Sequence, residues 1–161
     1  MIRRPKLLAA LVPAFLFVLT GGAVAQPEGD RTAAKQKARG AAESWLALVD
    51  ENRFAESWEA AAGLLQKRIK REEWVQKARR LRDSVEVLSG RRLAMTRYRS
   101  SLQRAPGDGP FVVLKYRSTS AAGHFEELLL AVRRDKTWKV TGYQVTPLRS
   151  PQSSPPDSTR P

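Results

Sequence analysis

The chain has 161 residues, with 29 Lys and Arg against 16 Asp and Glu, for a formal net charge of +13. It has no cysteine and a single histidine, His124. Disulfides, cysteine-ligated zinc, iron–sulfur clusters and thiol nucleophiles are therefore excluded, a multi-histidine metal site within one chain is impossible, and a Ser-His-Asp triad is disfavoured. A hydrophobic content of 42% suffices for a packed core, and the length fits one domain.

Residues 1–25 have the form of a secretory signal. Arg3, Arg4 and Lys6 precede an apolar run from Leu7 to Leu19, and Ala23-Val24-Ala25 is a small-residue cleavage pattern. Cleavage after Ala25 is expected, which places the protein in a periplasm or outside the cell. The competing reading is an uncleaved anchor, for which the run is short of the ~20 residues of a membrane span. Lipidation at this site needs a cysteine and is excluded. Residues 26–30 read as a short linker, and residues 31–146 as the folded domain. From Pro147 the chain reads PLRSPQSSPPDSTRP, which has too little apolar area to offset its ordering entropy and is expected to be disordered.

The domain opens with helical spacing over residues 31–52. Ala38, Ala41, Ala42, Trp45 and Val49 recur at three- and four-residue steps, widened by Leu46 and Leu48. Asn52 suits a left-handed stop. A second helix is expected from Phe54, with Trp58, Ala61, Leu64 and Leu65 on its apolar face. A third is expected over 71–84, with Trp74, Ala78, Leu81 and Val85 on one side and charge elsewhere. The period then changes to two. Strands are expected over Arg92–Leu102, Phe111–Thr119, Phe125–Arg134 and Trp138–Thr146, with turns at Ala105–Pro110, Ala121–Gly123 and Asp135-Lys136. Val112, Leu114 and Tyr116 share one face, as do Leu128, Leu130 and Val132. Gly142 within the last strand suggests a bulge.

Three helices followed by four strands on short links predict an α+β domain, with the strands in an antiparallel meander. A one-sided sheet must be covered, and the first helix is the best cover. Helices packed on a curved sheet make a cone, similar to the nuclear-transport-factor-2-like and cystatin-like folds. That likeness carries no function.

Two motif groups point further. The first is Ala41-Ala42-Glu43-Ser44-Trp45-Leu46-Ala47-Leu48-Val49-Asp50, with Phe54-Ala55-Glu56-Ser57-Trp58 and Trp74. The second is Pro106-Gly107-Asp108-Gly109, the strand through Tyr116, Glu126-Glu127, and Trp138-Lys139-Val140-Thr141-Gly142-Tyr143. Together these resemble the domain of unknown function 4019 family, over about residues 38–146. The resemblance implies a small secreted bacterial protein and supplies no catalytic residue. The chain departs from the family pattern at Lys70-Arg71 and at Asp83-Ser84-Val85.

The charge is concentrated. Residues 67–104 carry a net +9, against −2 over 26–66 and +3 over 105–161. Lys77, Arg79, Arg80 and Arg82 on the third helix, with Arg92, Arg97 and Arg99 on the next strand, are the candidate anion- or partner-binding residues. Neighbouring placement of helix and strand would make them one positive surface. The competing reading is a solvated face. The partners that fit are an anionic envelope polymer, a lipid headgroup or an acidic protein. Nucleic acid ranks below these, because the aromatics fall at core spacing.

Tyr98, Tyr116 and Tyr143 lie on three strands and can line a pocket at the open end of the cone. Glu126 and Glu127 point to opposite faces and are no acid/base pair. Glu43 and Asp50 lie two helical turns apart, where a polar helix edge is the simpler reading. His124 is expected to be exposed. The chain calls for no cofactor, no metal and no catalytic residue. The favoured reading is a non-catalytic periplasmic binding domain. Its rivals are a carrier using the cone's interior and, behind that, a small cone-fold enzyme.

Overall fold

A computed structural model describes residues 28–103 and 109–148. The segment expected to be a signal, most of the expected Ala105–Pro110 turn and the residues beyond Leu148 lie outside the described residues. Four helices, α1 (Glu28–Asp50), α2 (Phe54–Ala60), α3 (Gly63–Arg68) and α4 (Arg71–Val85), precede four strands, β1 (Ser89–Arg99), β2 (Phe111–Ser120), β3 (Gly123–Arg134) and β4 (Thr137–Pro147). The strands pair antiparallel in the order β1-β2-β3-β4, as the short links require.

α1 begins at Glu28 rather than residue 31, with Glu28 and Asp30 in its first turn, where negative charge suits the helix dipole. It buries Ala34, Ala38, Ala42, Trp45, Leu46 and Val49. These share one cluster with Val112, Leu114, Leu129, Ala131 and Val140 of the strands. The alanines let helix and sheet approach closely. Trp45 reaches further, lying against Trp74 at 5.7 Å and Tyr143 at 5.3 Å between ring centroids. Asn52 takes the left-handed conformation, φ 60°, as the stop requires.

The expected second helix is two helices. Ala61 and Ala62 are extended between α2 and α3. The cause is a tertiary bond: the Ala62 N–H donates to the Val140 carbonyl at 2.8 Å. Ala62 thereby occupies part of the open rim of β4 and packs on Phe111 and Val132. Helical periodicity through Leu64 and Leu65 cannot register a break imposed by a strand 78 positions onward (Ala62 to Val140).

The strand faces also differ from the simplest reading. The α1-facing row of β3 is Phe125, Glu127, Leu129 and Ala131, all buried. Leu128, Leu130 and Val132 do share a face, but it is the outward one, covered at one end by Ala62 with Leu64 and Leu102. Both faces are apolar because both are partly covered. In β4 a bulge sets Leu130 opposite Gly142 and Ala131 opposite Val140, where Gly142 stands. The β3–β4 reversal places Asp135 and Lys136 at φ 48° and 65°. β4 runs through Pro147, and the Leu148 N–H bonds to the His124 carbonyl.

The Ala62 backbone, at φ −68°, already suits proline. Ala62→Pro removes the N–H and leaves the Val140 carbonyl without it. It should cost about 1–3 kcal/mol of unfolding free energy, measured by urea titration. An unchanged midpoint would mean that the bond does not hold α2 and α3 to the sheet.

Candidate functional site

Three of the five buried polar side chains among the described residues, Arg82, Ser118 and Glu127, gather at the end of the sheet where α1 finishes. Glu127 is 0% exposed. One carboxylate oxygen accepts from Arg91 Nε at 2.8 Å and from the Ser118 hydroxyl. The other accepts from Arg91 Nη2 at 3.0 Å and from the Tyr143 hydroxyl at 2.9 Å. Arg91 turns its remaining donors to Asp50, at 2.6 and 3.0 Å, and Arg82 also donates to Asp50. Two guanidinium groups and two carboxylates thus form a neutral chain linking α1, α4, β1, β2, β3 and β4.

This arrangement is a lock rather than an acid/base site. A carboxylate has about four lone-pair directions, and Glu127 uses four. None is left to take a proton from a substrate. Burial pulls the Arg91 pKa down, but its bonds to Asp50 and Glu127 outweigh that and hold it above the usual value. Burial, reinforced by the Glu127 charge, pushes the Tyr143 phenol well above its ordinary range, so it donates and stays neutral. Glu126, on the opposite face, pairs with Lys115 at 2.9 Å. Glu43 pairs with Arg39 and not with Asp50.

The candidate cations divide. Arg82 is only 9% exposed and bound to Asp50, so it belongs to the lock and not to a solvent-facing surface. Lys77, Arg79 and Arg80 are exposed on α4. α4 lies on the α1 side of the sheet, sending Trp74 and Ala78 into the core there. Arg92, Arg97 and Arg99 are exposed and stand in register with Arg117, Val113 and Phe111 on the outward face. The sheet separates the two groups, so they do not form the single strip that neighbouring placement would have made. Among the described residues, Arg92, Arg97, Arg99 and Arg117 have no ion-pair partner.

Tyr98, Tyr116 and Tyr143 share the α1-facing side, packed with one core cluster. Tyr98 borders a pocket with Lys37 and Trp138, Tyr143 borders another with Trp74 and Lys77, and Tyr116 is buried. A third pocket of about 320 Å³ opens beside the exposed side of Asp50, lined by Asn52, Arg82, Asp83, Glu86, Val87 and Leu88. His124 is exposed, and no group of acidic or histidine side chains among the described residues is arranged to hold a metal ion. Asp50 and Glu127 escaped the sequence reading as partners. The sequence offers no distinguishing signal, because both rows of β3 hold one acid among three apolar residues.

Helices before a four-stranded antiparallel meander, pinned by a buried ion-pair chain, define a small α+β domain. The chain belongs to the family described as Protein of unknown function (DUF4019), which matches residues 41–143. That span holds every member of the lock, and the match agrees with the resemblance carried by the tryptophan and glycine motifs. No curated protein matches the chain.

Removing Glu127 alone leaves Arg91 and Arg82 sharing the single carboxylate of Asp50 in a largely dry site, so Glu127→Leu should cost about 3–5 kcal/mol, whereas adding Arg91→Met should recover part of it. Chemical denaturation of the double-mutant cycle reads this, and strict additivity would deny the coupling.

Tyr116 gives a second test. Its buried hydroxyl has no hydrogen-bond partner, and burial, with the Glu43 charge, pushes it up to about 12. A phenol raised in the folded state contributes stability below its unfolded pKa of ~10 that is lost as pH climbs through the folded value. Tyr116→Phe should add about 1 kcal/mol at neutral pH and flatten the alkaline loss. Equal alkaline slopes for the two proteins would contradict the assignment.

Proposed function

We propose that this is an exported, non-catalytic binding domain that engages an anionic partner through its outward sheet face. The reading takes residues 1–25 as a cleaved signal and the domain as a cone of the nuclear-transport-factor-2-like or cystatin-like kind, with α1 across its concave side. One observation carries it. The two arginines deepest in the fold, Arg82 and Arg91, are matched by carboxylates, whereas Arg92, Arg97 and Arg99 are exposed on β1 with Arg117, Val113 and Phe111 opposite them and no carboxylate in ion-pair reach among the described residues. Guanidinium forks spaced along two paired strands suit phosphate or carboxylate oxygens. The carrier reading has less support, since the space between α1 and the sheet holds Ala38, Ala42, Trp45 and Leu46 against Leu114 and Leu129.

The test is co-sedimentation with anionic vesicles and pull-down on an acidic polysaccharide, each across a salt series. Binding should weaken steeply with salt. Combined Arg92→Glu, Arg97→Glu and Arg99→Glu should lower affinity by roughly tenfold or more with an unchanged melting temperature. Arg79→Glu with Arg80→Glu should lower it less. Undiminished binding by the triple variant would overturn the reading.

A further inference from the structure

A different site lies at the far end of α1 from the lock. Asp30, Ala33, Ala34 and Lys37 fall at helical spacing and so share one stripe of α1. They line a pocket of about 260 Å³ with Tyr98, Trp138, and Arg133 and Lys136 of the β3–β4 hairpin. Arg133 pairs in register with Trp138, so both turn toward α1. Three cations thus border one pocket against a single carboxylate, Asp30. Among the described residues none of Lys37, Arg133 and Lys136 has an ion-pair partner. Ala33 and Ala34 keep the helix side of the pocket open.

The hairpin adds an independent observation. Asp135 and Lys136 both hold positive φ. Turns of this kind favour Asn-Gly or Asp-Gly, since glycine adopts the conformation without strain. The turn keeps the Asp but has lysine where glycine would be cheaper, and that lysine borders the same pocket as Lys37 and Arg133.

We propose that this pocket binds a phosphomonoester, with Lys37, Arg133 and Lys136 around the phosphate and the organic part toward Tyr98 and Trp138. A doubly charged phosphate group matches an excess of cations that a singly charged ligand would leave uncompensated. At about 260 Å³ the pocket exceeds a single water's ~30 Å³ share of the liquid several-fold, which leaves room for an organic group beside the phosphate. The same chemistry can arrive on a soluble metabolite or on a lipid headgroup. This site is separate from the arginines on the outward face of the sheet, and it stands or falls independently of them.

The purified chain is titrated calorimetrically with inorganic phosphate and with glycerol phosphate. It is also sedimented with vesicles containing phosphatidic acid, with phosphatidylcholine vesicles as control. Glycerol phosphate should bind saturably. Lys37→Gln and Arg133→Gln should each weaken it by roughly tenfold, the loss of one charge-assisted bond. Lys136→Gly should weaken it while raising the melting temperature, because the turn strain is relieved. Asp30→Asn should tighten it. The Arg92, Arg97 and Arg99 variants should leave it unchanged, which separates this outcome from that of the sheet face. Vesicle-only binding that follows the same variants assigns the phosphate to a lipid. The proposal is overturned if no probe binds, or if binding ignores Lys37, Arg133 and Lys136.

Discussion

The fold turns on one carboxylate. Glu127 sits on the core row of β3 with no exposure, and an isolated buried charge costs several kcal/mol. The structure offsets this by laying the Arg91 fork across both oxygens and filling the remaining lone pairs from Ser118 and Tyr143. Arg91 in turn needs Asp50, which Arg82 completes. Apolar packing is indifferent to small slips of a helix over a sheet. A chain of forked ion pairs is not, so the lock ties the last turn of α1 to α4 through Arg82 and to the sheet through Arg91. Replacing the whole chain by hydrocarbon need not weaken the domain, but it would remove that specification.

Much of the architecture was legible because it rests on local periodicity. The α1 stripe, the change of period after Val85, the Asp135-Lys136 reversal and the glycine at the β4 bulge each leave a mark within a few residues. What was illegible came from distant partners. The break at Ala61-Ala62 is made by a β4 carbonyl. The orientation of β3 could not be read because its two rows, Phe125-Glu127-Leu129-Ala131 and Glu126-Leu128-Leu130-Val132, have the same balance of one acid and three apolar residues. Arg82 looked like one more cation on a charged helix. Only Asp50, 32 positions earlier, distinguishes it.

The same distinction organises the charge. Net charge is a property of the whole chain, but pairing is a property of places. Where Arg82 and Arg91 approach the interior, acids accompany them one for one. On the outward face, Arg92, Arg97 and Arg99 of β1 have no carboxylate opposite them, and Glu126, though in register with Arg117, pairs with Lys115. A basic composition therefore resolves by place: structural cations beside the core carboxylates, exposed cations on α4, outward-face cations on β1 and β2, and the group around the β3–β4 hairpin. Each has its own neighbours.

The two rims of the sheet are treated differently. β4 has Ala62 bonded to its outer side, whereas the Ser89–Arg97 stretch of β1 makes no backbone bond beyond β2 among the described residues. An uncovered rim is a template for another copy. Here register shifts distort its first half, and Arg92 and Arg97 punctuate it, so two molecules meeting rim to rim bring like charges together. Because that repulsion is screened by ions, the chain's resistance to zipping rim to rim into ribbons should erode in brine and hold in dilute buffer.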